Sequence, residues 1–416
     1  MDKKRFLEQK IDKLLKMFPA VAVIGSRQCG KSTLVQAIRP GWKYYDLERP
    51  DDYQLITSDT LGFFSRQKEK TIIDEAQQFP ELFKVLRGVI DKDRKAAGRF
   101  LLTGSSSPEI IKGLSESLAG RIATIELWPF KAAEFFDKPF PDIYSILTES
   151  EPDINSLPEN LSDLQANIEP AQIYEHWFLG GYPEPRIKGQ VMPEFNGLWM
   201  DEYFSDYIRR DIQRLFPRIN THKFRVFIQT LSFLSGNIIN RSQIARSLEV
   251  SSVTAKEYLE ILHNTFIWRN LRTYEKNKLK KVQKMPKGFF RDQGILHHLL
   301  KIDDLDRMLV HPAAGTSFES FVIEEIIRGF QCTLKPGIDF HFYRTKDKSE
   351  VDLIIEAPFG LIPIEIKLGY KVNQRMLTGL KNFIQDTGVP FGILVNNSDK
   401  IEFLSDKIIQ IPAIYF

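Results

Sequence analysis

Short apolar runs alternate with helical patterns from Ala20 to about Asp137. The runs at residues 20–24, 42–45, 71–73, 99–102 and 123–127 are too short for helices and predict β-strands. Strands that alternate with helices are typical of a parallel sheet covered by helices. The N-terminal part of the chain is therefore predicted to have an α/β fold.

The pattern changes after residue 137. Residues 137–170 are rich in Pro, Asp, Glu, Asn and Ser, which is typical of a linker or insertion. Apolar residues then recur at helical spacing to about residue 300. Within this stretch, 241–248 and 252–262 predict two short helices joined by a tight turn, and 266–274 with 287–290 predict two strands. These elements indicate a helix-turn-helix followed by a wing.

The last part of the chain is predicted to be a smaller α/β domain. It starts with a helix at 317–330 and continues with strands at 341–344, 351–355, 361–368 and 392–396. The expected domains are 1–136, a phosphate-binding α/β domain; 137–220, a linker and helical lid; 221–305, a winged helix; and 306–416, the C-terminal α/β domain.

Composition adds limits to this picture. The chain has 416 residues, of which 43% are hydrophobic and 27% charged, with a net charge of +3 and only two cysteines. Such values are ordinary for globular proteins and give no support to a disulfide framework. No stretch approaches the roughly 18 apolar residues that a membrane helix needs. We therefore expect a cytoplasmic protein without a membrane partner.

A phosphate-binding motif follows the first predicted strand. Residues 25–32 fit the pattern G-x-x-x-x-G-K-[ST], in which backbone N–H groups surround the phosphates of a nucleotide. Lys31 is expected to neutralise the terminal phosphates, and the Ser32 hydroxyl to ligate Mg²⁺. The predicted ATP-binding residues are Gly25, Ser26, Arg27, Gln28, Cys29, Gly30, Lys31, Ser32 and Thr33.

Two further strands end in residues suited to nucleotide hydrolysis. Asp74 closes the strand at 71–73 and is expected to hold Mg²⁺. Glu75 follows it and is the predicted general base for the attacking water. Thr103, at the end of the next strand, suits a polar sensor of the γ-phosphate, although an ordinary serine-rich turn is the alternative.

The C-terminal domain carries its own group of charged residues. Glu365 and Lys367 alternate on one face of a strand, and Asp352 can reach the same face from the preceding strand. Asp352 and Glu365 are predicted to hold a divalent metal, with Lys367 beside them and Glu319 as an additional contact. The set resembles the PD-(D/E)xK nuclease motif. The alternative is a degenerate nuclease fold that is kept for binding DNA or protein.

Positive charge concentrates on the predicted wing. Lysines there could contact phosphates without regard to sequence, or could simply form a solvated face. Nucleic acid, most naturally DNA, is the predicted partner of this region and of the C-terminal domain. The residues concerned are Lys276, Lys278, Lys280, Lys281, Lys284 and Lys287, with Arg269 and Arg272 nearby.

Several motifs together resemble a prokaryotic family of AAA-type P-loop ATPases. Members of that family join the ATPase domain to a winged-helix region and a restriction-endonuclease-like C-terminal domain. The resemblance implies an ATPase that couples nucleotide state to DNA, or else a regulatory scaffold whose inactive C-terminal domain binds a protein. The motifs lie at 25–32, 73–77, 102–105, 118–121, 180–183 and 207–211.

The resemblance also implies a role for Arg121. This residue would contact the γ-phosphate as an arginine finger, either within its own chain or from a neighbouring subunit of a homo-oligomer. A structural salt bridge is the alternative.

Overall fold

The computed structural model describes residues 3–67, 69–105, 116–148, 161, 164–166, 168–213, 216–275, 285–345 and 349–416. The chain forms two compact units. The first contains Met1–Phe130 with Tyr182–Glu184 and Asn264–Ile267, and the second contains the remainder. None of the helices within these ranges is long and apolar enough to span a bilayer.

A five-stranded sheet forms the centre of the first unit. Its strands are parallel and lie in the order β2-β3-β4-β1-β5, so that β4 lies between β1 and β3. The predicted parallel α/β sheet is confirmed. The strands are β1 (Ala20–Gly25), β2 (Lys43–Asp46), β3 (Thr71–Asp74), β4 (Phe100–Ser105) and β5 (Ile122–Leu127).

Amphipathic helices accompany this sheet. On α5 (Leu82–Lys92), Leu82, Leu86 and Ile90 recur every four residues and are completely buried in the core that also contains Ile73 and Leu102. The same spacing buries one face of α1. The helices of this part are α1 (Leu7–Met17), α2 (Lys31–Ile38), α3 (Pro50–Thr57), α4 (Thr60–Arg66) and α5, with a 3₁₀ turn at Ala76–Gln78; α5 comprises Leu82–Lys92.

The rest of the chain is richer in helices. A π-helical turn, Tyr207–Ile212, follows α10, and a 3₁₀ turn, Ala413–Tyr415, lies near the C-terminus. The helices are α6 (Ala132–Phe135), α7 (Ile143–Thr148), α8 (Pro170–Leu179), α9 (Pro183–Lys188), α10 (Phe195–Asp206), α11 (Thr221–Leu234), α12 (Arg241–Ser247), α13 (Ser252–Asn264), α14 (Gln293–Leu299), α15 (Leu305–Val310), α16 (Ala314–Cys332) and α17 (Thr378–Thr387).

A nine-stranded mixed sheet runs through the second unit. Its order is β13-β14-β12-β11-β10-β9-β7-β8-β6. The strands are β6 (Asn237–Ile238), β7 (Trp268–Thr273), β8 (Lys287–Phe290), β9 (Asp339–Arg344), β10 (Glu350–Ala357), β11 (Gly360–Ile366), β12 (Gly392–Val395), β13 (Glu402–Ser405) and β14 (Ile408–Gln410).

The two strands predicted for a wing belong to this sheet. They pair antiparallel with each other, as expected, with Trp268 opposite Phe290. However, β7 also pairs in parallel with β9, where Arg272 lies opposite His341. The elements predicted for 221–305 and 306–416 therefore share one continuous sheet.

Candidate functional site

The phosphate-binding motif forms a tight loop between β1 and α2. Gly30, which precedes α2, has a left-handed backbone with φ of 96°, a conformation that glycine adopts without strain. A Cβ atom on Gly25 would lie only 2.0 Å from the carbonyl oxygen of Leu127. Two glycines of the motif are thus required by backbone geometry.

Lys31 points back into this loop. Its side chain is buried, and Nζ donates to the carbonyl oxygens of Ser26 at 2.9 Å and Gly25 at 3.3 Å. The hydroxyl of Ser26 is also buried and has no hydrogen-bond partner among the described residues. A buried ammonium and an unsatisfied hydroxyl, at the start of a helix, suit an anionic ligand such as a phosphate group.

The remaining residues of the motif lie in the loop or in the first turn of α2. Gln28 has a positive φ of 60°, and the Cys29 thiol is buried against the Leu127 carbonyl oxygen. Ser32 and Thr33 lie in the first turn of α2, directly after Lys31. The role of the Ser32 hydroxyl and the Asp74 carboxylate as Mg²⁺ ligands stays a prediction.

Asp74 is fixed by two hydroxyl groups. Tyr44 Oη donates to Asp74 Oδ2 at 2.5 Å, and Thr103 Oγ1 donates to Asp74 Oδ1. The pKa of Tyr44 is raised, mainly because the hydroxyl is buried and also because it donates a hydrogen bond to Asp74. Thr103 also accepts the backbone N–H of Glu75 at 3.3 Å, which links the ends of β3 and β4. Sequence reasoning missed Tyr44 because β2 carries no chemical signal.

Glu75 is held by a small polar network. Its Oε2 accepts hydrogen bonds from the Gln77 side chain and from Ser105 Oγ at 2.9 Å, and Gln77 Nε2 also lies 3.1 Å from Ser105 Oγ. Burial alone would raise the pKa of Glu75, but the Lys31 ammonium and these hydrogen bonds outweigh it and hold the pKa below its usual value. The carboxylate is therefore ionised and fixed in orientation.

Arg5, just before α1, is a second residue that sequence reasoning missed. Its guanidinium is buried and donates to the carbonyl oxygens of Cys29 at 3.1 Å and Trp128 at 2.5 Å. The guanidinium also stacks 4.7 Å from the centre of the Phe130 ring. Arg5 thus ties the phosphate-binding loop to the segment that follows β5.

Arg121 lies at the other end of the sheet. It precedes β5, and the register pairs Ile122 with Ala20, whereas Leu127 pairs with Gly25 at the loop. Five residues of strand separate these ends, roughly 17 Å. The guanidinium binds both carboxylate oxygens of Asp91, at 2.7 and 2.9 Å. Within its own chain Arg121 forms a salt bridge and lies away from the phosphate-binding loop.

The predicted charged residues of the C-terminal domain lie together. Lys367 Nζ lies 2.6 Å from Glu365 Oε1 and 3.3 Å from Asp352 Oδ2. Asp352 Oδ2 also accepts the backbone N–H of Ile366 at 2.9 Å. A change of register between Val351 and Ile354, in the pairing of β10 with β9, lies at this point of the strand. Such irregularities redirect side chains, which suits a functional cluster.

Lys287 on β8 enters the same cluster. Its Nζ contacts Glu319, and lies 3.2 Å from Glu350 Oε1 and 3.3 Å from Asp352 Oδ1. Burial alone would lower the pKa of Lys287, but the carboxylates, led by Glu319, outweigh it and raise the pKa. The prediction of a basic wing is wrong for Lys287, which is a buried counter-ion.

The carboxylates respond unequally to this environment. Burial alone would raise the pKa of Asp352, but Lys287 and Lys367 outweigh it and hold the pKa at about 2. Burial and then the charge of Asp352 raise the pKa of Glu319 to about 8 and that of Glu365 well above its usual value. Asp352 is therefore the carboxylate that the two ammonium groups share.

These residues do not fit a divalent metal as they stand. Each oxygen of Asp352 faces an ammonium group, Lys287 on one side and Lys367 on the other. Within the described ranges, no three His, Cys, Asp or Glu side chains converge in a geometry that could hold a metal ion. The prediction that Asp352 and Glu365 hold a metal ion stays a prediction. The Lys287 ammonium beside Asp352 argues against it.

Other parts of the predicted wing are also structural. Arg269 binds the buried Glu324, and Trp268 and Tyr274 are buried. Arg269 and the two aromatic residues therefore do not contribute to a basic surface, whereas Arg272 is exposed. Lys276, Lys278, Lys280, Lys281 and Lys284 lie outside the described residues.

The glycine pair at 180–181 has a structural explanation. Gly181 donates its N–H to Asp292 Oδ2 at 2.8 Å, and Asp292 also caps the start of α14. A Cβ atom on Gly180 would lie 2.2 Å from Asp292 Oδ1, and one on Gly294 would lie 2.3 Å from the Leu179 carbonyl oxygen. The glycines of the motif at 180–183 are therefore explained by close packing against the start of α14.

Three family models match consecutive parts of the chain. Residues 17–136 match an "AAA domain". Residues 170–306 match "Domain of unknown function (DUF8612)", and residues 314–415 match "Domain of unknown function (DUF4143)".

Two bacterial relatives align along much of the chain. The uncharacterized protein Rv2008c of Mycobacterium tuberculosis is 29% identical over 409 residues, which cover 97% of this chain and 82% of the relative. An uncharacterized protein of Haemophilus influenzae is 21% identical over 305 residues, covering 67% of this chain and 68% of the relative.

Solved structures give weaker similarities. The Walker-type ATPase PABY2304 of Pyrococcus abyssi covers 72% of this chain and 95% of its own, with 15% identity and a TM-score of 0.38. The Orc1 protein of Aeropyrum pernix in complex with DNA covers 73% and 93%, with 12% identity and a TM-score of 0.31. TM-scores this low do not establish a common fold over the aligned length.

The first unit therefore combines three independent features. It has a parallel sheet in which β4 lies between β1 and β3, a phosphate-binding loop with a buried lysine, and a match to the AAA domain over 17–136. Together they support an AAA-type P-loop ATPase domain at the N-terminal end of this chain.

Proposed function

We propose that this protein binds ATP with Mg²⁺ and hydrolyses it, with Glu75 as the general base. The observation that carries the proposal is the position of Glu75. It follows Asp74 directly, is held by Gln77 and Ser105, and lies close enough to Lys31 for the ammonium to lower its pKa. A buried cation and a fixed carboxylate at the same end of a sheet suit phosphoryl transfer to water.

Each of these residues of the first unit would have a separate role in ATP hydrolysis. Lys31 would neutralise the phosphate oxygens that replace its present carbonyl partners. Ser32 and Asp74 would hold Mg²⁺, which supplies charge neutralisation on the phosphates when bound. Glu75 would orient the attacking water and accept its proton, while Thr103 keeps the ends of β3 and β4 together.

Replacement of Glu75 by glutamine tests this proposal. Glu75→Gln keeps a hydrogen-bond acceptor for water but is a poor base, so turnover is expected to fall by roughly 10²–10⁴-fold. ATP binding should remain, whereas Lys31→Ala should lose it. Radiolabelled ATP hydrolysis and equilibrium nucleotide binding give the two measurements.

A matched control comes from the same region. Glu81 is exposed at the start of α5, so Glu81→Gln should leave turnover unchanged. If Glu75→Gln retains wild-type turnover while Asp74→Asn loses it, the wrong carboxylate has been assigned as the base.

We further infer that residues 221–290 bind DNA through a winged helix. The inference is supported by the order of elements, because α11, β6, α12, α13, β7 and β8 follow one another and β8 pairs antiparallel with both β6 and β7. The exposed side chains of Arg241 and Arg246 on α12 and Lys256 on α13 would add phosphate contacts. ATP turnover would then be coupled to a DNA-bound state.

A further inference from the structure

The cluster around Asp352 already contains a cation of its own. Lys287 Nζ contacts three carboxylates from two elements, namely Glu319 on α16 and Glu350 and Asp352 on β10. The Lys287 side chain is only 4% exposed. An ammonium group that bridges several buried carboxylates occupies the place where a divalent ion would bind in a cluster of this kind.

The lysine is held there by a rigid strand. Lys287 begins β8, where it lies opposite Leu271 on β7 and Ile238 on β6. The next residue, Gly288, packs so closely that a Cβ atom would lie 2.5 Å from the Trp268 ring. Because β8 has a partner on each side, Lys287 cannot leave the cluster by rotation of a surface loop.

One acceptor in the cluster has no hydrogen-bond partner within the described ranges. Glu365 Oε2 is buried, and no donor reaches it from the described part of the chain. Its other oxygen binds Lys367 at 2.6 Å. A buried, unsatisfied carboxylate oxygen near Asp352 is an available ligand for a cation that replaces the Lys287 ammonium beside Asp352.

We propose that Lys287 is a built-in counter-ion that keeps divalent metal out of the C-terminal carboxylate cluster, and that its removal converts the cluster into a metal site. The wild-type C-terminal domain then binds no divalent ion at Asp352 and Glu365. Replacement of Lys287 by an uncharged residue leaves Glu319, Asp352 and Glu365 facing one another without the bridging ammonium. A divalent cation can then take the place of the ammonium group beside Asp352.

Mn²⁺ binding to the full chain, free of nucleotide, tests the proposal. Electron paramagnetic resonance reports free Mn²⁺ directly, so the bound fraction is read at each concentration. Wild type is expected to show no bound ion that depends on Asp352. Lys287→Met is expected to bind one Mn²⁺ per chain, and the additional change Asp352→Asn is expected to abolish that binding.

A charge-matched variant guards against misfolding of Lys287→Met. Lys287→Met with Glu319→Gln replaces one formally positive and one formally negative side chain, so the formal net charge is unchanged and Asp352 and Glu365 remain as ligands. This variant should also gain Asp352-dependent Mn²⁺ binding, accompanied by a rise in melting temperature on addition of Mn²⁺. Lys371→Met, at an exposed position, is the control that should behave as wild type.

Two outcomes would overturn the proposal. The first is wild-type protein that binds Mn²⁺ in a manner abolished by Asp352→Asn, because Lys287 would then not exclude the metal. The second is a folded Lys287→Met or charge-matched variant without bound Mn²⁺, because something other than the ammonium would then prevent binding. Far-ultraviolet circular dichroism establishes that each variant is folded.

Discussion

At the scale of single residues, Glu75 shows how a catalytic carboxylate is positioned. Its backbone is left-handed, with φ of 52°, an unusual conformation for a residue other than glycine. The side chain then accepts hydrogen bonds from Gln77, which follows it in the chain, and from Ser105 on β4. Backbone strain of this kind concentrates at functional positions, where surrounding contacts compensate for it.

Gln77→Ala should affect turnover more than ATP binding. The change removes one hydrogen bond that favours ionised Glu75, so the pKa of Glu75 rises toward its ordinary value. Because the base must be ionised, the acid limb of the pH–rate profile should move to higher pH. We expect kcat to fall roughly tenfold, as for other residues that orient a functional group, with KM for ATP nearly unchanged.

The pH profile distinguishes positioning from a structural role. Gln78→Ala, the neighbouring change, should leave both kcat and the acid limb unaltered. A Gln77→Ala variant with reduced kcat but an unshifted acid limb would mean that Gln77 supports folding of the turn and does not act on Glu75.

Some site residues can be predicted from the sequence because they follow apolar strands. Asp74, Glu75 and Thr103 lie at strand ends, and parallel strands bring those ends to one edge. Tyr44 and Lys287 do not follow an apolar strand in this way. Tyr44 acts only because β2 lies beside β3, and Lys287 meets Asp352 only because β8 and the later strand β10 belong to one sheet. Long-range pairing of this kind leaves no local pattern.

At the scale of elements, α16 places the carboxylate of Glu324 among three arginine side chains. Glu324 binds Arg269 on β7, Arg291 and Arg328, and all four residues are largely buried. Burial alone would raise the pKa of Glu324, but the arginines outweigh it and hold it at about 2, against an ordinary value of 4.5. Removing only the carboxylate would leave three buried guanidinium groups without their shared partner.

Glu324→Gln should therefore destabilise the second unit. The pKa difference corresponds to roughly 3 kcal/mol of folding free energy. Since the pKa of the folded state is depressed, this contribution is present above pH 4.5 and disappears as the pH falls from 4.5 toward 2. Urea unfolding of wild type and variant at pH 7 and pH 3 measures the difference, which should be smaller at pH 3.

An exposed carboxylate provides the comparison. Glu402→Gln, at an exposed position on β13, should change the free energy of unfolding by less than about 0.5 kcal/mol at either pH. Equal effects of Glu324→Gln at pH 7 and pH 3 would contradict the assignment, because the missing interaction would then not depend on ionised Glu324.

The sequence predicts the strands of this region more accurately than it predicts which of their side chains are exposed. Apolar residues predict strands at 266–274 and 287–290, and the structure has strands at Trp268–Thr273 and Lys287–Phe290 that pair antiparallel. Their pairing with β9 is not predicted, because a sequence pattern reports which residues are buried and not which distant strand covers them. For the same reason the sequence places Arg269 on a DNA-facing surface, although its partner Glu324 lies on α16.

At the scale of the whole molecule, the DNA inference depends on lysines around the β7–β8 connection. Replacing Lys278, Lys280 and Lys281 by glutamine should weaken binding to unrelated DNA sequences equally. The slope of log K against log salt should become shallower by about 0.9 for each phosphate that is no longer neutralised. Fluorescence anisotropy with labelled duplexes at several salt concentrations measures both effects.

Net charge must be separated from position in that experiment. A second triple variant, with glutamine at Lys301, Lys371 and Lys400, removes the same charge elsewhere on the surface. It should retain wild-type affinity and slope. Equal reductions in the two variants would show that DNA responds to overall charge and does not touch this connection.

The nine-stranded sheet also has a consequence for how the protein is made. β7 cannot pair with β9 until β9 has been synthesised. The whole segment from Thr273 to Asp339 is made between the two strands. At roughly 5–20 residues per second, the ribosome needs several seconds for that segment. During this interval one edge of β7 has open hydrogen-bonding groups, which can pair with another nascent chain. We therefore expect association between nascent chains to be favoured at this stage of synthesis.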